Sequence, residues 1–202
     1  MTEGWSELYY DVLREVGNIG AGNAATALAQ LVGRPIKMEV PSVLWVPLGE
    51  VAARLGGAEK AVAGILLGVE GEAPASILFA LPLEQAHVLL DIVLGRAVGT
   101  TQALDELERS ALQEIGNILA GSYLNSLSTF THLNFRPTVP ALAVDMAGAV
   151  LDYVLAEFGQ MADQVLLIET EFQAASQEVT GYFFLVPQPL SLGVIFQALG
   201  VA

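Results

Sequence analysis

The amino-acid sequence predicts an α/β protein of the layered α+β type: a mixed or antiparallel sheet with helices, built from two like halves about a pseudo-two-fold axis. Three observations support this prediction. The chain has 202 residues, of which 53% are hydrophobic and 15% charged, so it can bury a full core. A segment recurs after about half the chain. Helical and strand patterns are grouped within each half in a way that is typical of layered folds rather than doubly wound ones.

The repeat consists of two stretches that align without a gap. Residues 11–22 read DVLREVGNIGAG and residues 110–121 read SALQEIGNILAG, with an offset of 114 − 15 = 99. The same offset relates Pro41 to Pro140. We therefore expect a single domain over residues 1–202, made of two repeats at about 1–99 and 100–202.

Both halves show the same order of elements. Apolar periodicity predicts the helices, and short apolar runs bounded by Gly or Pro predict the strands. Gly95 and Gly200 are predicted to follow the last turns of the closing helices, and 95–101 to join the halves. The predicted elements are long helices (7–31 and 103–131), extended segments (36–46 and 138–145), short helices (48–55 and 147–158), strand pairs (61–69 with 75–81, and 164–172 with 179–186, turning at 71–74 and 174–177) and closing helices (83–94 and 190–199).

The charge balance excludes several classes of function. With 22 acidic and 8 basic residues the formal net charge is −14, which disfavours binding to nucleic acid or to an anionic membrane surface. The absence of cysteine excludes a disulfide scaffold and any thiolate chemistry. No signal peptide or membrane-spanning run is recognised, so we expect a soluble, cytoplasmic protein.

The repeated stretch places one set of polar residues on one side of each long helix. These residues are spaced by 4, 3 and 4 positions, so on an α-helix each later one points within roughly 40° of the direction of the first. Val12, Val16 and Ile19 form a neighbouring stripe that we expect to face the core, as do their counterparts in the second half. The polar side should then face solvent or a partner, and a glycine there leaves room for close approach. Its members are Asp11, Glu15, Asn18 and Gly22, and Ser110, Glu114, Asn117 and Gly121.

A carboxylate and an amide at this spacing have a limited chemistry. One such pair would be ordinary solvated surface, but two copies in register suggest that the pair is used. An amide can donate and accept hydrogen bonds but cannot act as a base or nucleophile. Only His87 and His132 are available, so neither a Ser-His-Asp set nor a metallohydrolase ligand set is recognised. The remaining chemistry is positioning: a side-chain amide can orient a water for attack on a phosphoryl group.

These residues resemble the signature of the CheC/CheX/FliY family of chemotaxis phosphatases, [Asp/Ser]-x3-Glu-x2-Asn-x22-Pro. The signature fits twice without departure. The duplicated layout is similar to CheC-type members over essentially the whole chain, whereas CheX-like members keep one motif and FliY-like members add a switch domain. The matching positions are Asp11, Glu15, Asn18 and Pro41, and Ser110, Glu114, Asn117 and Pro140.

The resemblance implies a phosphatase of two-component signalling that hydrolyses the aspartyl-phosphate of the response regulator CheY. It implies that each Asn (Asn18, Asn117) orients the water and each Glu (Glu15, Glu114) pairs with a lysine of the regulator. The regulator would bring Mg²⁺, so no cofactor is expected on this chain alone. The receptor deamidase CheD is an implied partner, docking on helix 147–158 with Asp152 as a contact. The alternative is a non-enzymatic adaptor for CheD or the flagellar switch.

Overall fold

The computed structural model describes residues 7–158, 164–174, 177–188 and 190–200. These residues form one antiparallel sheet with helices on both faces, which confirms the predicted layered fold class. The helices are α1 (Glu7–Val32), α2 (Val51–Arg54), α3 (Leu83–Val93), α4 (Glu106–Thr131), α5 (Ala147–Phe158) and α6 (Ser191–Ala198). The strands are β1 (Lys37–Glu39), β2 (Val43–Pro47), β3 (Ala61–Gly71), β4 (Ala75–Pro82), β5 (Phe135–Pro137), β6 (Ala141–Met146), β7 (Gln164–Ala174) and β8 (Gln177–Pro187).

The strand order reads the same from either edge when the two halves are exchanged. It runs from β1 and β2 through β7, β8, β4 and β3 to β5 and β6. The two short strands of each half therefore pair with the hairpin of the other half, and β4 pairs with β8 at the centre. This order supports two intertwined repeats. The division of the chain near residue 99 stays a prediction.

Both faces of the sheet are covered by apolar side chains. On one face α1, α3, α4 and α6 pack over the sheet around buried residues such as Leu28, Phe79 and Leu119. On the other face α2 and α5 pack around residues such as Leu55 and Phe184. Because successive strand residues point to opposite faces, strands buried on both sides read as continuous apolar runs. This explains the high hydrophobic content of the sequence.

Several predicted elements differ from the structure in their bounds. The short helix predicted at 48–55 is a 3-10 turn at Leu48–Glu50 followed by α2, and the second long helix, predicted from 103, begins at Glu106. The extended segments predicted at 36–46 and 138–145 are each formed by two short strands with a break at 40–42 and at 138–140. The second extended segment also begins earlier, at Phe135. The glycines after the closing helices are confirmed, with φ of 71° at Gly95 and 72° at Gly200. The predicted turn residues 175 and 176 lie outside the described residues.

The connection between the halves is held by one buried carboxylate. Asp91, in the last turn of α3, accepts hydrogen bonds from the backbone N–H groups of residues 99–101 at 2.8, 3.0 and 3.0 Å. The Thr101 hydroxyl donates a further bond at 2.6 Å. Burial opposes ionisation, but these four bonds together hold the pKa of Asp91 below its ordinary value. Residues 99–101 are therefore fixed against the last turn of α3, a few residues before α4 begins.

Candidate active site: acid-and-amide pairs on two long helices

The four predicted catalytic side chains all lie at the surface. Glu15 and Asn18 are exposed on α1, and Glu114 and Asn117 are exposed on α4. Each pair is separated by three residues on a helix, which brings the two side chains to neighbouring positions about 5–6 Å apart at Cβ. The helical spacing thus predicts their common direction correctly.

We use the name motif ridge for the four positions that share one side of each repeated stretch: the first member, Asp11 or Ser110, then the acid-and-amide pair and the glycine. On α1 it consists of Asp11, Glu15, Asn18 and Gly22, and on α4 of Ser110, Glu114, Asn117 and Gly121. An added Cβ at Gly22 or Gly121 would meet no atom within 4 Å. A helix glycine lowers stability by about 1 kcal/mol relative to alanine. Packing within the chain therefore does not require glycine at these positions, and their lack of a side chain leaves the ridge open to another surface.

The prediction of which α1 residues face the core is confirmed only in part. Val16 is buried as expected, but Val12 is half-buried and Ile19 is 37% exposed. The prediction is wrong for Ile19 because it lies only about 40° around the helix from Glu15, at the edge of the exposed side. The core-facing residues of α1 lie further round the helix, for example Leu13 and Ala24.

A close crossing fixes the two long helices relative to each other. An added Cβ at Gly20 of α1 would lie 2.6 Å from Cδ1 and 3.1 Å from Cα of Tyr123 on α4. The Tyr123 hydroxyl lies beneath the crossing and is hydrogen-bonded to the hydroxyl of Thr170 on β7 at 3.2 Å. Burial raises the pKa of Tyr123 to about 12. Tyr123 is therefore neutral at physiological pH and acts in packing.

In the first half, the amide of Asn18 is hydrogen-bonded to the strand segment beside it. The backbone N–H of Val40 donates a hydrogen bond to Oδ1 of Asn18 at 3.2 Å. Val40 is buried, and Pro41 follows it at the surface. A proline restricts the residue before it to extended conformations, which helps to hold this N–H in place. Next to the ridge, Arg14 pairs with Asp11 at 2.9 Å.

A surface cavity of about 180 Å³ opens beside the first site. It is lined by residues of α1 and of the segment that follows the Asn18–Val40 contact. The cavity adjoins Asp11 and Pro41, so both of these predicted supporting residues border open space next to the acid-and-amide pair. The lining residues are Tyr10, Asp11, Arg14, Pro41, Ser42, Val43 and Leu44.

In the second half, the amide is not tied in this way. The side-chain amide of Asn117 makes no hydrogen bond with the described part of the chain, and Val139, which precedes Pro140, is 88% exposed. The connection between helix and strand segment is made by Gln113, whose Nε2 donates to the carbonyl oxygen of Pro140 at 3.0 Å. Ser110 is exposed at the start of the ridge. The two sites therefore share their residues but not their hydrogen bonds.

The cause is a one-residue difference between the helix repeat and the strand register. β1 ends with Glu39 opposite Glu171, and β2 begins at Val43. β5 ends at Pro137 and β6 begins at Ala141, so the strand breaks are 98 residues apart (137 − 39) while the ridges are 99 apart. Consequently Pro41 is the second residue of its three-residue break, and Pro140 is the third.

Sequence reasoning missed Gln113 and the N–H of Val40. Neither is part of the repeated signature, since the position of Gln113 is occupied by Arg14 in the first half. A backbone donor leaves no trace in the side-chain pattern. The only available signal was the position of Val40 immediately before a proline of the signature.

The predicted partner contact, Asp152, is exposed on α5, next to Tyr153, which is 53% exposed.

Among the side chains that the structure describes, no three of His, Cys, Asp and Glu come together as a set that could hold a metal ion. Over the same residues, no helix combines the length and apolar character needed to cross a bilayer.

Comparison with known proteins identifies the family. The model of a family described as "CheC-like family" matches residues 10–44 and 107–144, which contain both copies of the signature. The chain is 39% identical to "CheY-P phosphatase CheC" of Bacillus subtilis over 203 aligned residues, covering 98% of this chain and 97% of that protein.

Solved structures agree on the fold. FliY of Thermotoga maritima superposes with a TM-score of 0.76 at 22% identity, covering 99% of this chain and 98% of the other. The middle domain of FliM from H. pylori superposes with a TM-score of 0.71 at 14% identity, covering 96% and 99%. At these identities the structures establish architecture only. The near full-length sequence match carries the assignment: this chain belongs to the CheC-like family.

Proposed function

We propose that this chain is a phosphatase that hydrolyses the aspartyl-phosphate of the phosphorylated response regulator CheY. The observation that carries the proposal is the pair of exposed acid-and-amide ridges, Glu15 with Asn18 and Glu114 with Asn117, each on one side of a long helix. The name of the B. subtilis relative, a CheY-P phosphatase, gives the substrate. We place the activity in the cytoplasm.

The chemistry assigned to the ridge is the positioning of water. A side-chain amide can hold an attacking water in line with a phosphoryl group when metal and cationic groups are already present. In this proposal Asn18 or Asn117 enters the regulator's phosphorylation site, and the adjacent glutamate pairs with a lysine there. Mg²⁺ comes with the regulator. Asp11 and Ser110 support the start of each ridge, and Pro41 and Pro140 shape the strand segment beside it.

The test is phosphate release from phosphorylated CheY with the Asn18→Ala, Asn117→Ala double variant. We expect the stimulated release to fall by at least about 100-fold, which corresponds to about 2.7 kcal/mol of transition-state stabilisation. A matched control removes two other exposed amides, Asn23 and Asn134, and should keep the parental rate. Release at the parental rate by the first variant would rule out the assigned roles.

The same assay separates the alternative of a non-enzymatic adaptor. An adaptor for CheD or for the flagellar switch would bind its partner without accelerating phosphate release, and the double Asn change would leave that binding intact. The fold shared with FliM does not favour either reading, because it is seen at 14% identity.

We infer in addition that CheD docks on α5. This helix turns Val150 and Val154 toward the core and leaves Asp152 and Tyr153 exposed, so it offers both a charged and an aromatic contact. Asp152→Lys should weaken CheD binding in a titration and leave the basal phosphate release unchanged. Unaltered CheD affinity of that variant would place the contact elsewhere.

A further inference from the structure

An exposed leucine stands at the N-terminal end of each long helix. Leu8 of α1 is 55% exposed and Leu107 of α4 is 57% exposed. The two occupy equivalent positions, since 107 − 8 = 99, the offset of the repeated stretch. Neither leucine packs in the core, whereas Leu13 and Leu112 on the core-facing sides of the same helices are buried.

Helix geometry places each leucine on the side of its motif ridge. Leu8 precedes Glu15 by seven residues, and Leu107 precedes Glu114 by the same number. Seven residues bring the direction back to within about 20° and advance about 10 Å along the axis. Each leucine therefore extends its ridge by about one turn beyond Asp11 or Ser110.

Repetition alone does not single out this pair. Leu31 and Phe130 are also 99 residues apart and are 55% and 42% exposed. They lie about 160° around the helix from Glu15 and Glu114, on the far side from the ridge. Single exposed apolar residues are common on protein surfaces. The distinguishing property of Leu8 and Leu107 is their position on the side that carries the acid-and-amide pair.

The footprint of a docked protein reaches these leucines. A stable protein interface buries about 800 Å² on each partner, which corresponds to a patch of about 16 Å radius. Leu8 lies about 15 Å along the helix axis from Asn18, the same span that separates Leu107 from Asn117. A protein that receives the amide in its phosphorylation site therefore covers the neighbouring leucine as well.

Charge gives a reason why an apolar contact is needed there. The chain carries a formal charge of −14, and each ridge presents a glutamate. The phosphoryl group of the partner is itself negative, so the acidic surface of this chain adds no long-range attraction toward it. Burial of apolar side chains supplies affinity that is independent of charge.

We propose that Leu8 and Leu107 are the apolar anchors by which each ridge holds the phosphorylated regulator, an inference that rests on the proposed function. The occupant is an apolar patch on the regulator, about 10–15 Å from its phosphoryl group by the helix rise. The leucines touch no reacting atom. Their contribution is to affinity and not to the chemical step.

The experiment compares two double variants. Leu8→Gln with Leu107→Gln changes both anchors, and Leu31→Gln with Phe130→Gln changes the exposed pair on the far side. Glutamine has nearly the helix propensity of leucine, so α1 and α4 should be retained. The measurements are kcat and KM of phosphate release, and the affinity for CheY carrying beryllium fluoride as a phosphoryl mimic.

We expect the anchor variant to raise KM and the dissociation constant about fivefold each, with kcat within a factor of two of the parent. The far-side variant should change neither. An unchanged KM in the anchor variant, or an equal rise in both variants, would overturn the inference. The alanine pair, Leu8→Ala with Leu107→Ala, repeats the test should the glutamine pair alter the circular dichroism spectrum.

The two proposals fail in different ways. A parent chain that releases no phosphate while its affinity for the loaded regulator drops in the anchor variant would refute the phosphatase and retain the anchors. Normal phosphate release with an unaltered KM would refute the anchors alone.

Discussion

The two long helices carry the same exposed pair, but they differ in the packing beneath that pair. Beneath Asn18, the helix glycine Gly17 has space: an added Cβ would lie 3.6 Å from Cγ1 of Val40 and 3.9 Å from Cγ2 of Ile168. Beneath Asn117, its counterpart Gly116 has none, since an added Cβ would lie 2.5 Å from Cγ2 and 3.0 Å from Cβ of Ile65. At the position before the amide, glycine is thus required for close approach in α4 but not in α1.

The same residue at equivalent positions of the two repeats can therefore be under different packing constraints. In both halves the glycine lies one residue before the asparagine of the ridge. In the second half it allows α4 to rest on the β-branched side chain of Ile65 in β3. In the first half the same glycine leaves α1 slightly apart from the sheet, and Val40 fills the adjoining space.

The largest effect should come from alanine at these two glycines. Gly17→Ala should stabilise the fold by about 1 kcal/mol, because alanine is the better helix former and its methyl group makes ordinary contacts. Gly116→Ala gains the same propensity but overpacks Ile65, which costs about 1–3 kcal/mol, so its net effect should be destabilising by up to about 2 kcal/mol. Urea unfolding of both variants measures the two free energies.

A smaller second substitution checks that packing causes the difference. Ile65→Ala removes Cγ2 and Cγ1, which lie 2.5 and 3.4 Å from the added methyl group, so Gly116→Ala should cost less stability in that background than in the parent. Equal stability of Gly17→Ala and Gly116→Ala in the parent would contradict the comparison.

The next effect concerns the amides themselves. The side chain of Asn18 accepts a hydrogen bond from the N–H of Val40 at 3.2 Å, whereas the side chain of Asn117 has no hydrogen bond within the described residues. An amide that must loosen a hydrogen bond before it holds water loses about 1 kcal/mol, or about fivefold in rate. Asn117 should then provide about five sixths of the activity. Asn117→Ala should lower phosphate release about sixfold, and Asn18→Ala should lower it by about one sixth.

The effect of the hydrogen bond on Asn18 can be measured by removing its donor, the backbone N–H of Val40. Val40→Pro eliminates the N–H while keeping an apolar side chain, and it should raise the rate of the first site measured in an Asn117→Ala background. Its folding is checked by urea unfolding. A larger loss from Asn18→Ala than from Asn117→Ala would mean that the Val40 hydrogen bond orients the amide for its task, which reverses the ranking.

Sequence patterns predicted the parts of the site that depend on one helix. The 3.6-residue period is local, so the exposure of Glu15 and Asn18 followed from spacing alone. Spacing along one helix could not predict whether each amide is hydrogen-bonded to the neighbouring strand segment, because that depends on how β1 pairs with β7 and β5 with β3. A single-residue shift in that pairing places Pro41 and Pro140 differently although their sequence spacing is identical. The wrong prediction that Ile19 faces the core has the same cause, because the elements packed against a helix determine how much of its surface is buried.

The two edges of the sheet also differ, in the charges that face each other across strands. On one edge Glu39 of β1 lies opposite Glu171 of β7. On the other edge Arg136 of β5 lies opposite Glu70 of β3, with a nitrogen–oxygen distance of 3.9 Å. Like charges directly opposite each other destabilise a strand pair, and opposite charges weakly stabilise it.

The smallest effect should follow from neutralising Glu171. Burial, together with the nearby Glu178, Glu169 and Glu39, raises the pKa of Glu171 above its ordinary value. A carboxyl whose pKa is higher in the folded than in the unfolded chain destabilises the fold at neutral pH, and this penalty disappears as the pH falls through the raised pKa. Glu171→Gln should therefore stabilise the protein by about 0.5 kcal/mol at pH 7, with solvent screening taken into account.

The pH and salt dependence separate this cause from a packing effect. The stabilisation by Glu171→Gln should vanish near pH 4, where the parental carboxyl is protonated, and shrink in 1 M salt. The control is Glu70→Gln at the other edge, which removes an attractive partner of Arg136 and should leave stability unchanged or slightly lower at pH 7. Because both glutamates lie on outer strand pairs, a gain of similar size from both substitutions would show that net charge, rather than the facing partner, governs the stability of these edges.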